Sequence, residues 1–147
     1  MRIIVDGDAC PGISIIERCA KDYNLELIVY CDIHHYIVLD YGDVKIVDSG
    51  FQSVDMKVSN ECMENDIVVS QDYGVAAICL GKKAHVINPR GTIYTNENIS
   101  GMLEQRHISQ KIRKAGGRTP NARKRTSEDD ERLKKNLLFL IKSNLKE

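Results

Sequence analysis

The sequence predicts an α/β fold in which a mainly parallel central sheet is flanked by helices in three layers. Two observations carry this. Short, β-branched apolar runs at Ile3–Val5, Leu27–Tyr30, Ile67–Val69 and His85–Ile87 are mostly unbroken by polar residues, as in strands covered on both faces. Stretches of helical periodicity separate them, and strands alternating with helices favour parallel pairing through crossovers.

The elements follow in order. Ile3–Val5 opens the sheet. Residues 10–23 read as the first helix, with Ile13, Ile16, Ala20 and Tyr23 on one face, and Pro11 suits a first turn where its missing N–H costs nothing. Leu27–Tyr30 is the second strand and residues 44–47 a shorter one. Residues 53–63 and 73–80 read as helices on either side of the Ile67–Val69 strand, and His85–Ile87 closes the alternation.

After Gly91 the pattern becomes helical. Residues 96–115 form a long helix, the Gly116-Gly117 pair with Pro120 breaks it, and residues 127–145 form a last helix. Leu133, Leu137, Leu140, Ile141 and Leu145 make the apolar face of that helix, while Glu128, Asp129 and Asp130 suit the positive end of its dipole. The expectation is one domain over residues 1–147, with a basic, Gly/Pro-containing segment at about 106–126 leading to the final helix, which packs on the body while the linker just before it does not.

Composition narrows the function. No apolar run approaches the roughly 20 residues needed to cross a bilayer, and the N-terminus lacks a signal core, so a cytoplasmic protein is expected. The cysteines, Cys10, Cys19, Cys31, Cys62 and Cys79, are odd in number and contain no C-x-x-C pair. They read as reduced core thiols rather than as a disulfide framework or a zinc ribbon. His34 and His35 are adjacent, so on a strand they would face opposite ways and not chelate one ion together.

Net charge is zero but uneven. Between Gln105 and Ser127 lie eight basic residues and no acid, which leaves a net charge of −8 on the rest of the chain. An acidic body therefore carries a basic arm. Within it Arg113, Lys114, Arg118, Arg123, Lys124 and Arg125 are candidate contacts for a nucleic-acid backbone, the alternative being a solvated tether.

The chemistry is concentrated in the aspartates. In an open parallel sheet, ligands bind beyond the carboxyl ends of the strands. Asp6 ends the first strand, Asp8 starts the loop after it, Asp72 follows the strand of "DIVVSQDYG", and Asp55 lies near the start of a helix. If these four converge they form one acidic pocket. Two carboxylates about 5 Å apart repel by roughly 3 kcal/mol at an effective dielectric of 20, so protons or a divalent cation must enter. Mg²⁺ or Mn²⁺ suits hard oxygen ligands. The plainer reading makes each aspartate a turn former or helix cap, with Asp8 capping the Pro11 helix and Asp66 a turn residue before its strand. Cys10 at a helix N-terminus is a rival nucleophile, though no histidine is near it in sequence.

The motifs "VDGDACP", "GFQSVDMKV", "DIVVSQDYGVAA", "GTIYTNENI" and "GGRTPNARKRTSEDDERLKKNLLFLI", in this order over nearly the whole chain, resemble the bacterial YaiI/YqxD family. Gly12 departs from an expected valine, and Gln52 stands where some members carry an acid. The family is similar to the PIN-like nucleases, including their NYN branch, which implies a PIN-like fold and RNA cleavage with Mg²⁺ or Mn²⁺. On that likeness Asp6, Asp55 and Asp72 match the catalytic and metal-binding acids, Asp8 is a weaker match, and Ser70 supports them.

The lead expectation is a metal-dependent RNA phosphodiesterase. The alternatives are a non-catalytic RNA-binding or scaffold protein, and a haloacid-dehalogenase-like phosphatase with "DGD" as its D-x-D. The phosphatase also needs a later Ser/Thr, a lysine and a further acidic pair, for which only Ser70 and Asp72 offer themselves, with no convincing lysine between. Tyr73 and Tyr94 are candidate base-stacking residues, core packing being the plainer fate of each.

Overall fold

A computed structural model describes residues 1–8, 10–48, 50–117 and 124–145. Its strands are β1 (Arg2–Asp6), β2 (Glu26–Cys31), β3 (Asp43–Ile46), β4 (Ile67–Val69), β5 (His85–Ile87) and β6 (Ile93–Tyr94). Its helices are α1 (Ile13–Asp22), α2 (Val54–Glu61), α3 (Tyr73–Gly81), α4 (Asn96–Lys114) and α5 (Ser127–Asn144). The strands form one sheet in the order β3-β2-β1-β4-β5-β6, parallel throughout except for the pairing of β6 with β5.

The unbroken apolar runs are explained by coverage of both faces. Along β1, Ile3 and Val5 pack against α1 and α5, and Ile4 packs against α2, α3 and the start of α4. The same alternation runs through Leu27, Ile28 and Val29 of β2 and Ile67, Val68 and Val69 of β4. Each face of the pleat therefore meets helices, and neither can be polar. Four of the five cysteines are buried in these layers, as expected of small core residues. No helix among the described residues is long and apolar enough to cross a membrane.

Two expectations need correction, and one strand has no counterpart in the sequence pattern. The first helix begins at Ile13, not Cys10, because Gly12 is its N-cap with a left-handed φ of 86°, which leaves Pro11 outside the first turn. A Cβ on Gly12 would lie 2.8 Å from both Leu133 Cδ2 and Arg125 Nη2, so glycine suits this position where the motif suggests valine.

Asp66 is more than a turn residue. Only 3% exposed, it takes Arg2 Nη2 at 2.7 Å, the Arg2 backbone N–H at 3.1 Å and the Met63 N–H at 2.9 Å, closing the amino edge between β1 and β4. Finally, β6 was not anticipated. With two residues, it is too short to show a period.

The last helix docks by its predicted face except for Leu145, which caps the helix end in an extended conformation and is exposed. Leu133, Leu137, Leu140 and Ile141 are buried against α1 and the sheet. Thr126 and Asp129 form a capping box, with the Thr126 N–H donating to Asp129 Oδ2 at 3.0 Å.

Candidate active site at the carboxyl edge of the sheet

The strand order reverses between β1 and β4, so the chain leaves these neighbours in opposite directions and a crevice opens at their carboxyl ends. Asp6, Asp8, Asp55 and Asp72 all line one cleft there, of about 530 Å³, together with Cys10, Tyr73 and Arg106. Asp6 is the last residue of β1, Asp55 sits in the first turn of α2, and Asp72 caps α3.

Ser70 links two of the acids. Its hydroxyl donates to Asp6 Oδ2 at 3.2 Å and accepts the Asp72 backbone N–H at 3.0 Å, while the residue itself is buried. Burial pushes the Asp6 carboxyl up to about 6, and the negative charges of Asp8 and Asp55 add to the shift. The Ser70 hydrogen bond and the Asp8 backbone N–H work against it. Asp72 combines the functional and plain readings: it lines the cleft, while its Oδ1 accepts the Gly74 and Val75 N–H groups at 2.7 and 3.2 Å as the cap of α3.

Asp8 is not a helix cap, since Gly12 occupies that position. Its Oδ1 instead accepts the Asp32 N–H at 3.2 Å and lies 3.1 Å from His35 Nδ1. Gly7, between the two acids, is needed for space rather than for a special backbone angle. Its N–H donates to Tyr30 O at 2.7 Å, and a Cβ would stand 2.7 Å from that same oxygen. The Cys10 thiol is pushed up to about 12, first by burial and then by the Asp6 charge, so the thiolate that a nucleophile requires is suppressed.

Of the basic arm, Arg113 and Lys114 end α4 and are exposed, as is Lys124. Arg118 and Arg123 lie outside the described residues. Arg125 is engaged on the body: its Nε meets Asp130 Oδ1 at 2.8 Å and its Nη1 donates to Pro89 O at 2.6 Å. Tyr94 is core, at 2% exposure, and Tyr73 packs edge-on against it with centroids 5.9 Å apart.

Three residues at this edge escaped the sequence reading. Arg106 lines the cleft because of how α4 packs across α3, which no local pattern encodes. Asp32 directly follows β2, the same signal that marked Asp6. For His35 the strand rule of alternating faces misleads, because the residue lies in the loop after β2, where alternation of side chains does not apply.

Fold and site together define an α/β protein with a carboxylate-lined cleft at the carboxyl edge of a parallel sheet. The chain belongs to the YaiI/YqxD family, whose model, described as "Uncharacterized BCR, YaiI/YqxD family", matches residues 4–143. It is 57% identical over 141 residues to a UPF0178 protein of Clostridium tetani, covering 96% of this chain and 97% of that one. It is 47% identical over 134 residues to a UPF0178 protein of Clostridium acetobutylicum, covering 90% of each. Among solved structures, the crystal structure of a mutant of Rae1 (YacP) from Bacillus subtilis superposes with a TM-score of 0.45 at 17% identity, covering 79% of this chain and 84% of that one.

Proposed function

We propose that this chain is a PIN-like, NYN-type nuclease that hydrolyses RNA phosphodiesters with Mg²⁺ or Mn²⁺. The observation that supports this reading most is the cleft in which four aspartates from three separate segments, the end of β1, the start of α2 and the cap of α3, meet beside Arg106. The donor set fits a hard dication: it is all oxygen, and burial together with neighbouring negative charge already burdens Asp6. Among the described residues, Asp6, Asp55 and Asp72 do not bring three carboxylate oxygens within 4.8 Å of one another, so they would reach a common ion partly through its waters.

In this reading Asp6, Asp55 and Asp72 hold the ion and Asp8 acts through water. A bound dication supplies an activated water and stabilises the leaving oxygen. Ser70 keeps the Asp6 carboxylate oriented, Arg106 holds a phosphate at the cleft, and Arg113, Lys114, Arg118, Arg123 and Lys124 draw in the polyanion. If three to five of these charges reach phosphates of a single strand, log affinity falls against log salt with a slope of roughly −2 to −3.5.

The test is cleavage of single-stranded and structured RNA with Mn²⁺, compared with EDTA and with Asp6→Asn plus Asp72→Asn. Cutting by the wild type alone, abolished by EDTA, is the expected result. RNA binding without cutting would favour a non-catalytic RNA-binding protein, and equal cutting by the double variant would remove the site assignment. The phosphatase reading loses ground because the described residues lining the cleft include no lysine to hold a phosphate beside the D-x-D.

A further inference from the structure

We propose that Asp8, Asp32 and His35 form a second cation site beside the acid cleft, one that selects a transition-metal dication such as Mn²⁺ or Zn²⁺ over Mg²⁺.

The site is built by two loops leaving adjacent parallel strands. Asp8 follows β1 and Asp32 follows β2, and the strands are in register with Asp6 opposite Tyr30. The Asp32 N–H donates to Asp8 Oδ1 at 3.2 Å, which ties the loops together, and the His34 N–H donates to Asp32 Oδ1 at 2.9 Å, which fixes that carboxylate. His35 then returns over both acids. Its Nδ1 lies 2.8 Å from Asp32 Oδ1 and 3.1 Å from Asp8 Oδ1. Among the described residues, these three ligand atoms all lie within 4.8 Å of one another.

Those separations are metal-like as well as hydrogen-bond-like. Neighbouring ligands held about 2.1 Å from an octahedral ion are about 3.0 Å apart, and the distances from His35 Nδ1 to the two Oδ1 atoms bracket that edge. A proton on Nδ1 offsets one of the two carboxylate charges, whereas a dication offsets both. The imidazole decides selectivity, because nitrogen donors favour Mn²⁺ and, more strongly, Zn²⁺ over Mg²⁺. The side chains of Asp8, Asp32 and His35 retain 32%, 21% and 41% exposure, so the remaining coordination positions face solvent, as they must for an ion that also meets a ligand.

Asp8 is shared with the cleft, but Asp32 and His35 are not among its lining. The second site therefore does not depend on RNA cleavage, and the two readings fail separately.

The experiment titrates the full chain with Zn²⁺, Mn²⁺ and Mg²⁺ by calorimetry and follows the imidazole ¹⁵N resonances during the Zn²⁺ and Mg²⁺ titrations; a His35 shift at equal Mg²⁺ concentration would overturn the selectivity. Zn²⁺ is expected to move the Nδ1 resonance of His35 and to leave those of His34, His85 and His107 in place. In the Asp6→Asn plus Asp72→Asn background, which silences the cleft, Zn²⁺ is still expected to move His35, and adding His35→Gln, which retains a polar side chain in the loop, or Asp32→Asn is expected to weaken the remaining Zn²⁺ binding by at least about tenfold. An unmoved His35 resonance at saturating Zn²⁺, or unchanged affinity in both loop variants, would overturn the proposal. Loss of Mn²⁺ binding only in the Asp6/Asp72 variant would do the same while sparing the cleft.

Discussion

Ser70 Oγ and Asp6 Oδ2 lie 3.2 Å apart across the boundary between β4 and β1, and the same hydroxyl receives the Asp72 N–H at 3.0 Å. One buried serine thus ties together two acids that are 66 residues apart in sequence. Ser70→Ala is expected to cost about 1 kcal/mol of stability. It should also weaken Mn²⁺ binding by about tenfold, because Asp6 loses a donor that favours its charged form. Denaturant midpoints and calorimetric titration measure the two effects separately.

Asp6 makes the unloaded protein less stable as pH rises. Its folded pKa of about 6 exceeds the ordinary 3.8, so between these values the folded state binds more protons than the unfolded chain. Stability therefore falls as pH climbs through that window, by at most about 3 kcal/mol and by less once solvent screening at the open cleft is counted. Asp6→Asn is expected to raise the Tm at pH 8 without metal and to abolish the further rise on adding Mn²⁺. A lower Tm for the variant under metal-free conditions would contradict this.

The opposite edge of the sheet depends on Arg2 and Asp66. Asp66→Ala removes a nearly buried carboxylate and strands the guanidinium, which should cost about 3 kcal/mol. Because the pair sits at the amino ends of β1 and β4, metal affinity measured on the folded fraction should not change.

Gly91 is the docking point of α5. With φ at 91°, and with a Cβ that would stand 2.6 Å from Arg132 C and Leu133 N, it has no room for a side chain. Its carbonyl also accepts Asn136 Nδ2 at 2.6 Å. Gly91→Ala should cost more than about 2 kcal/mol. Hydrogen exchange should quicken first in α5, where Leu133 and Leu137 lose their fit.

Two arginines near the cleft should behave differently. Arg106→Ala is expected to weaken single-stranded RNA binding and to reduce the salt slope by about 0.7, the loss of one phosphate contact. Arg125→Ala should mainly lower stability, since that side chain already holds Asp130 and Pro89. Filter binding across a salt series and thermal melts distinguish the two outcomes.

Much of this was legible in order along the chain. The apolar runs that became β1, β2, β4 and β5 carry their own signal, because a strand covered on both faces has no polar alternation. Asp6 and Asp72 could be placed at the sheet's carboxyl edge because each directly follows such a run. The start of α1 was misplaced because Pro11 is compatible with a first helical turn, and only the left-handed Gly12 shows that the helix begins later. Asp32 carried the signal used for Asp6, and His35 was discounted by a strand rule that does not hold in a loop.

The sequence by itself determined the α/β class, the carboxyl-edge location of the acids and the separation of charge between body and arm, because each depends on the local order of residue types. Only the tertiary structure decided that Ser70 joins Asp6 to Asp72, that Arg106 reaches the cleft, that Arg125 is held on the body and that His35 closes over Asp8 and Asp32. Those relations depend on the register between strands and the angle at which helices cross the sheet. Both are set by the packing of the two buried layers as a whole, and no short stretch of the chain contains them.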